Sequence, residues 1–144
     1  RKDFLLEEWE VYQSRAVGAD AILLIAAALP VTKLGDMLGL ATSLGLSVLV
    51  EVHHEAELEE VLQHNHPDLH MIGINNRNLE TFKVDLETTG HLSRRVPDRF
   101  LKVGESGFYS RDDLNRFPNV DAFLIGESLM RQNDPGMALR QLRG

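Results

Sequence analysis

Five short apolar runs recur along the chain, at Ala19–Ile25, Leu46–Val52, Leu69–Asn75, Phe100–Ser106 and Asp121–Glu127. Each is near-continuously hydrophobic rather than alternating, which is how a strand covered on both faces of a parallel sheet reads. Helical patterns lie between them. Leu6, Trp9, Tyr12 or Gln13 and Ala16 recur at helical spacing before Gly18, and Leu34, Leu38, Ala41 and Leu44 form a stripe before Gly45, with Thr32 placed to cap its start. Residues 55–66 and 84–96 follow suit, the latter weakened by Gly90. Ser110 caps a short helix, and Asp134 opens a last one with Pro135 at its first position. Strict alternation of this kind predicts a parallel sheet with right-handed crossovers, either open and doubly wound or closed into a barrel.

Two details favour the barrel. Polar residues sit at the C-terminal end of nearly every strand, where barrel enzymes assemble their sites, whereas an open sheet concentrates them at one switch point. No Gly-rich dinucleotide fingerprint follows any strand, since the glycines of "VGESG" and "IGES" are too closely spaced for it. A full barrel of eight units needs about 200 residues or more. At 144 residues the expectation is therefore an α/β chain of the TIM (β/α)8 barrel family: an incomplete barrel of about five parallel strands, all of 1–144 forming part of one domain and beginning at the end of a preceding strand.

Composition narrows the function. A net charge of -7 argues against nucleic acid as the main partner, because a binding face needs a basic surplus. No apolar run reaches the roughly 18 residues of a membrane span. The absence of cysteine removes disulfides and thiolate metal sites and fits a cytoplasmic location. The amino-terminal segment has acids within its apolar part, unlike a signal peptide.

The strand ends hold the candidate chemistry. Glu51 lies between Val50 and Val52, inside an apolar strand, where a carboxyl is either a general base tuned by burial or one half of a salt bridge. In "MIGINNRNLETF" a buried strand runs into Asn75, Asn76, Arg77 and Asn78. Asn75 is placed to point over the barrel mouth and Arg77 to fork onto a carboxylate or phosphate, while local turn bonding accounts for Asn76 and Asn78. "ESG" at Glu105–Gly107 and "GES" at Gly126–Ser128 each set small residues directly after a strand, which suits a phosphate held by backbone N–H groups. Lys2 and Asp3 read as solvated surface unless a strand precedes them. His53 and His54 lack the spacing of a helical metal motif, and His64 and His66 suit a helix C-terminus.

"RKDF" at Arg1–Phe4, "LVEVH" at Leu49–His53, "IGINNRNLETF" at Ile72–Phe82, "ESG" and "GESLMR" at Gly126–Arg131 together resemble, in order, the motifs of the indole-3-glycerol phosphate synthase family. The resemblance spans the chain, which matches the family's barrel from the end of strand three through strand eight. It implies a carbon-carbon lyase of tryptophan biosynthesis. The reaction closes 1-(2-carboxyphenylamino)-1-deoxyribulose 5-phosphate onto its ring, with loss of carbon dioxide and water and without a metal or organic cofactor. Lys2 is then the general acid at the ketone oxygen, Glu51 takes up a proton or steadies the cationic intermediate, and Asn75 orients a hydroxyl. Phe4 and Leu79 line the aromatic pocket with Arg77 beside it, and Ser106, Gly107, Gly126 and Glu127 give backbone contacts to the phosphate.

Gly104, where the family more often carries Ser or Ala, and Phe108, where it carries Ile, depart from the pattern. So does the segment Asn115–Asn119, about a residue short. The family's strand-one Glu and second Lys and its strand-two Glu have no counterpart here. The alternative to an active synthase is thus a catalytically incomplete fragment whose open sheet edges are covered by a second copy or by a partner supplying strands one to three. Phosphoribosyl anthranilate isomerase, a neighbouring phosphate-binding barrel, relies on a Cys that this chain lacks.

Overall fold

A computed structural model describes residues 1–144. Strands β1 (Ala21–Ile25), β2 (Ser47–Val52), β3 (Met71–Asn75), β4 (Leu101–Glu105) and β5 (Ala122–Leu124) form one parallel sheet in the order β1-β2-β3-β4-β5. Strand order follows chain order without reversal, so the switch point of a doubly wound sheet is missing. The architecture is an incomplete (β/α) barrel, with β1 and β5 at its two edges. The β1 edge carries a short continuation. The Arg1 ammonium donates to the Ala21 carbonyl at 2.6 Å and the Leu23 N–H to the Arg1 carbonyl at 3.1 Å, the alternation of a parallel bridge. Arg1 is thereby held in strand register, and Lys2 sits at the C-terminal rim of the sheet.

Helices α1 (Glu8–Ala16), α2 (Val31–Ser43), α3 (Glu55–His64), α4 (Glu87–Leu92), α5 (Arg111–Asn115), α6 (Glu127–Met130) and α7 (Pro135–Arg143) occupy the connections and the C-terminus. Several boundaries follow from capping chemistry. The Ser110 side chain accepts the Asp113 N–H and that of Asp134 the Met137 N–H, as expected, and α3 ends on Asn65 in the left-handed region.

Two expectations fail. Thr32 does not cap α2, which begins at Val31 behind Pro30 with no side-chain cap. The stripe Leu6, Trp9, Tyr12 and Ala16 is not the packed face of α1. The helix starts only at Glu8, after a capping box between Glu7 and Glu10, and it buries Val11 and Ser14. Trp9 and Tyr12 remain 60% and 53% exposed. The face of α1 that meets the rest of the fold carries small side chains instead of the large rings.

The sheet has two different faces. Ile22, Leu24, Val48, Val50, Val52, Ile72 and Ile74 pack beneath the helices against Val11, Leu34, Met37, Leu38, Leu58 and Val61 in one core. The alternate positions put Leu23, Ile25, Glu51, Gly73, Asn75 and Glu105 on the opposite face. Burial on both sides explains why the strands read as continuous apolar runs. Gly104 and Phe108 depart together for a reason. A Cβ at 104 would meet Phe108 at 2.9 Å and Phe123 at 3.1 Å, so the missing side chain makes room for the Phe108 ring, edge-on to Phe123 at 4.8 Å.

Candidate active site

The sheet register fixes which side chains meet. Glu51 pairs across to Gly73, and Asn75 to Glu105, so all four lie on one face within two rows. A Cβ on Gly73 would collide with the Glu105 carboxyl, which leans across the gap toward Glu51. Lys2 arrives from the rim, its Nζ 3.4 Å from Oε2 of Glu51 and 3.9 Å from Oε2 of Glu105. Both carboxyls are buried, at 1% and 0% exposure, while the Lys2 side chain is half exposed.

Two buried carboxyls side by side cannot both ionise at modest cost, and here the environment separates them. Burial pushes the Glu51 carboxyl up, but contacts with His53, Asn75 and Glu105 and the Lys2 charge outweigh it and hold Glu51 well below the usual carboxylate range. Burial and then the Glu51 charge drive Glu105 well above that range, and Lys2 and His53 oppose this only in part. Neither Glu105 oxygen meets a hydrogen-bond donor, which suits a carboxylic acid rather than a carboxylate. The site therefore contains a cation, a carboxylate and a neutral acid within a few ångströms. Such a set can give and take protons.

The amide block has three distinct duties. The Asn75 side-chain oxygen accepts the Arg77 N–H at 2.9 Å, turning the chain at the rim. Asn76, expected to serve a local turn, instead joins three elements. Its Nδ2 donates to the Ser106 carbonyl at 3.0 Å, and its Oδ1 accepts from the Thr89 N–H at 3.0 Å and the Thr89 hydroxyl at 2.8 Å. Asn78 is the local residue, accepting from the N–H groups of Glu80 and Thr81. Arg77 meets the Glu127 carboxylate through a single Nη2–Oε2 contact, and the other Glu127 oxygen binds Arg131 at 2.9 Å.

Two clefts share Lys2, Arg77 and Ser106. One of about 420 Å³ is lined by Phe4, Leu79, Glu51 and Asn75. The other, about 170 Å³, is lined by Gly107, Gly126 and Glu127. Every site residue picked out in the sequence lines one or both of these two clefts. Ser106 and Gly107 both hold positive φ, 64° and 81°, so the turn after β4 presents its backbone in a conformation that a non-glycine residue adopts only at a cost. Gly126 has φ -120° and no atom near the place of a Cβ; its value is open space at the start of α6. No group of three or more His, Cys, Asp or Glu side chains is placed to hold a metal ion.

Residues 1–142 match the family model described as indole-3-glycerol phosphate synthase. The chain belongs to the indole-3-glycerol phosphate synthase family. Curated synthases from Albidiferax ferrireducens and Aromatoleum aromaticum are 51% and 52% identical over 144 and 146 residues, covering 99% and 100% of this chain. The synthase of Polaromonas naphthalenivorans is 50% identical over 146 residues. The chain spans about half the length of these relatives, 53%, 55% and 54% respectively. A crystal structure of KGPDC from Streptococcus mutans superposes with a TM-score of 0.68 at 15% identity, over 94% of this chain and 64% of that one. That likeness concerns the fold alone and agrees with successive units of a (β/α) barrel.

Glu105 and His53, not singled out as site residues from the sequence, are brought beside Glu51 by the fold. Glu105 carried the same signal as Glu51, an ionisable residue in an apolar strand.

Proposed function

We propose that this chain is the C-terminal part of a single indole-3-glycerol phosphate synthase barrel and supplies much of its proton-transfer and phosphate-binding machinery. In this reading Lys2 protonates the ketone oxygen of the carboxyphenylamino-deoxyribulose phosphate as the ring closes. Glu51 balances the cationic intermediate and accepts a proton, and Asn75 orients a hydroxyl. Phe4 and Leu79 enclose the aromatic ring, with Arg77 at its rim. The phosphate lies against the backbone of Ser106, Gly107, Gly126 and Glu127, anchoring the end of the substrate away from the reacting carbons. The chemistry runs without a metal or organic cofactor, in the cytoplasm.

What carries the reading is the Lys2 ammonium set against the buried Glu51–Glu105 pair at the strand ends, a charged donor beside carboxyls in opposite protonation states. The test uses a barrel completed by fusing the preceding portion of the Aromatoleum aromaticum synthase ahead of Arg1. Glu51→Gln in it keeps shape and removes charge. Turnover should fall by about 10²-fold or more with little change in KM. Turnover within about threefold of the parent would remove Glu51 from the mechanism.

A second reading is favoured by the free edges of β1 and β5 and by the exposed Phe4, Trp9 and Tyr12. In it the 144-residue chain by itself is catalytically incomplete and folds against a second copy or a partner supplying the first three strands.

A further inference from the structure

His53, the first residue beyond β2, has no task in the mechanism above, yet its position is tightly determined. The side chain is 8% exposed, with Nδ1 3.3 Å from Oε2 of Glu57 and Nε2 3.1 Å from Oε1 of Glu51. The Nε2–H is not well aligned on that oxygen, so this is a charge contact more than a directed hydrogen bond. Glu57, in the first turn of α3, is itself anchored. It accepts the His53 backbone N–H at 2.6 Å, and its other oxygen lies 2.8 Å from Nε2 of His54. A neutral imidazole in this place would set a lone pair against one carboxylate, whereas an imidazolium carries positive charge between the two. The other charged groups facing the cluster are Lys2, on the second oxygen of Glu51, and Glu105 beyond it. Glu51 thus meets a cation at each oxygen, and Glu105 meets only the farther side of Lys2.

We propose that His53 is a positioning residue of the synthase site: clamped by Glu57, it fixes the Glu51 carboxylate in place and keeps Glu51, not Glu105, the ionised member of the pair. Glu105 is then the member that carries the shared proton. Burial lowers the basicity of His53, but Glu51 and Glu57 outweigh it and raise it to about 9, so the ring is charged across the physiological range. The inference rests on the synthase reading for its effect on turnover. Its geometry does not.

Two measurements on the completed barrel decide it. Histidine-selective ¹⁵N spectra at about pH 7.5 should show His53 with both nitrogens protonated, and Glu57→Gln should bring its titration down by about one unit. A ring that is neutral at that pH overturns the proposal. In kinetics, His53→Asn should lower kcat about tenfold or more with KM within about twofold, and move the acidic limb of the kcat/KM profile to higher pH by about one unit. Glu57→Gln, which touches no substrate, should move the same limb the same way by less. Loss of activity with an unmoved acidic limb would make His53 a packing residue and nothing more. Should His53→Asn fail to fold, the spectra of the parent and the Glu57→Gln profile still decide. The synthase reading fails separately, through Glu51→Gln with turnover intact, whatever the spectra show of His53.

Discussion

Gly73 is the residue on which the pairing of Glu51 with Glu105 depends, because any side chain there would occupy the space that the Glu105 carboxyl fills. The resulting contact has a thermodynamic signature. Glu105 has a folded-state pKa raised above its unfolded value, so its contribution to stability is full below the unfolded pKa and is lost as pH rises toward the folded one. His53, raised to about 9, acts in the same direction: full below its unfolded value, lost through about pH 9. Glu51 is shifted downward, so its contribution is present above the ordinary carboxylate range and disappears in acid. Thermal stability should therefore decline from neutral to mildly alkaline pH. Glu105→Gln, which keeps the shape and never ionises, should flatten that decline and stabilise the protein at about pH 9 by about 1 kcal/mol or more. Melting curves across the pH range for parent and variant check this, and identical slopes would contradict a raised Glu105.

The elements are tied together where β3 ends. Asn76 is 2% exposed and joins the ends of β3 and β4 to α4, so Asn76→Ala strands two buried groups of Thr89 and the half-buried Ser106 carbonyl. It should cost about 2–4 kcal/mol in urea unfolding, whereas Asn78→Ala, in an exposed local turn, should cost about 1 kcal/mol or less. Comparable losses would mean that both serve only the turn. At the start of α6 a Cβ on Gly126 would meet no atom within 4 Å, and the backbone there is not in the left-handed region. Gly126→Val in the completed barrel should thus raise KM about tenfold or more while leaving the melting temperature within a few degrees, by blocking approach of the phosphate. An unchanged KM would move the phosphate elsewhere. The five strands and the caps at Ser110 and Asp134 were legible in the sequence because burial on two faces and capping are local rules. The outward face of α1 was not, because periodicity locates a stripe without saying which of two flanking stripes the sheet covers. Nor was the reach of Asn76 to residues 89 and 106, or the lean of Glu105 over Gly73. Those contacts exist only once the register is set.

At the scale of the whole molecule, the site is assembled from one side of an unfinished barrel. Lys2 follows Arg1, the residue that bridges the β1 edge at Ala21 and Leu23. The chain spans only about half the length of its curated relatives. Orientation within a fraction of an ångström is what gives such a constellation its rate. The isolated chain is therefore expected to self-associate through its edges and to be inactive until the other strands are supplied. The direct comparison is the rate of indole-3-glycerol phosphate formation by the 144-residue chain alone and by the same chain with the preceding portion of the Aromatoleum aromaticum synthase, added in trans or fused ahead of Arg1. The expected result is no detectable product from the chain alone and turnover from the completed barrel, abolished by Glu51→Gln. A monomeric chain that forms the product unaided, or a folded, completed barrel that forms none, would contradict it.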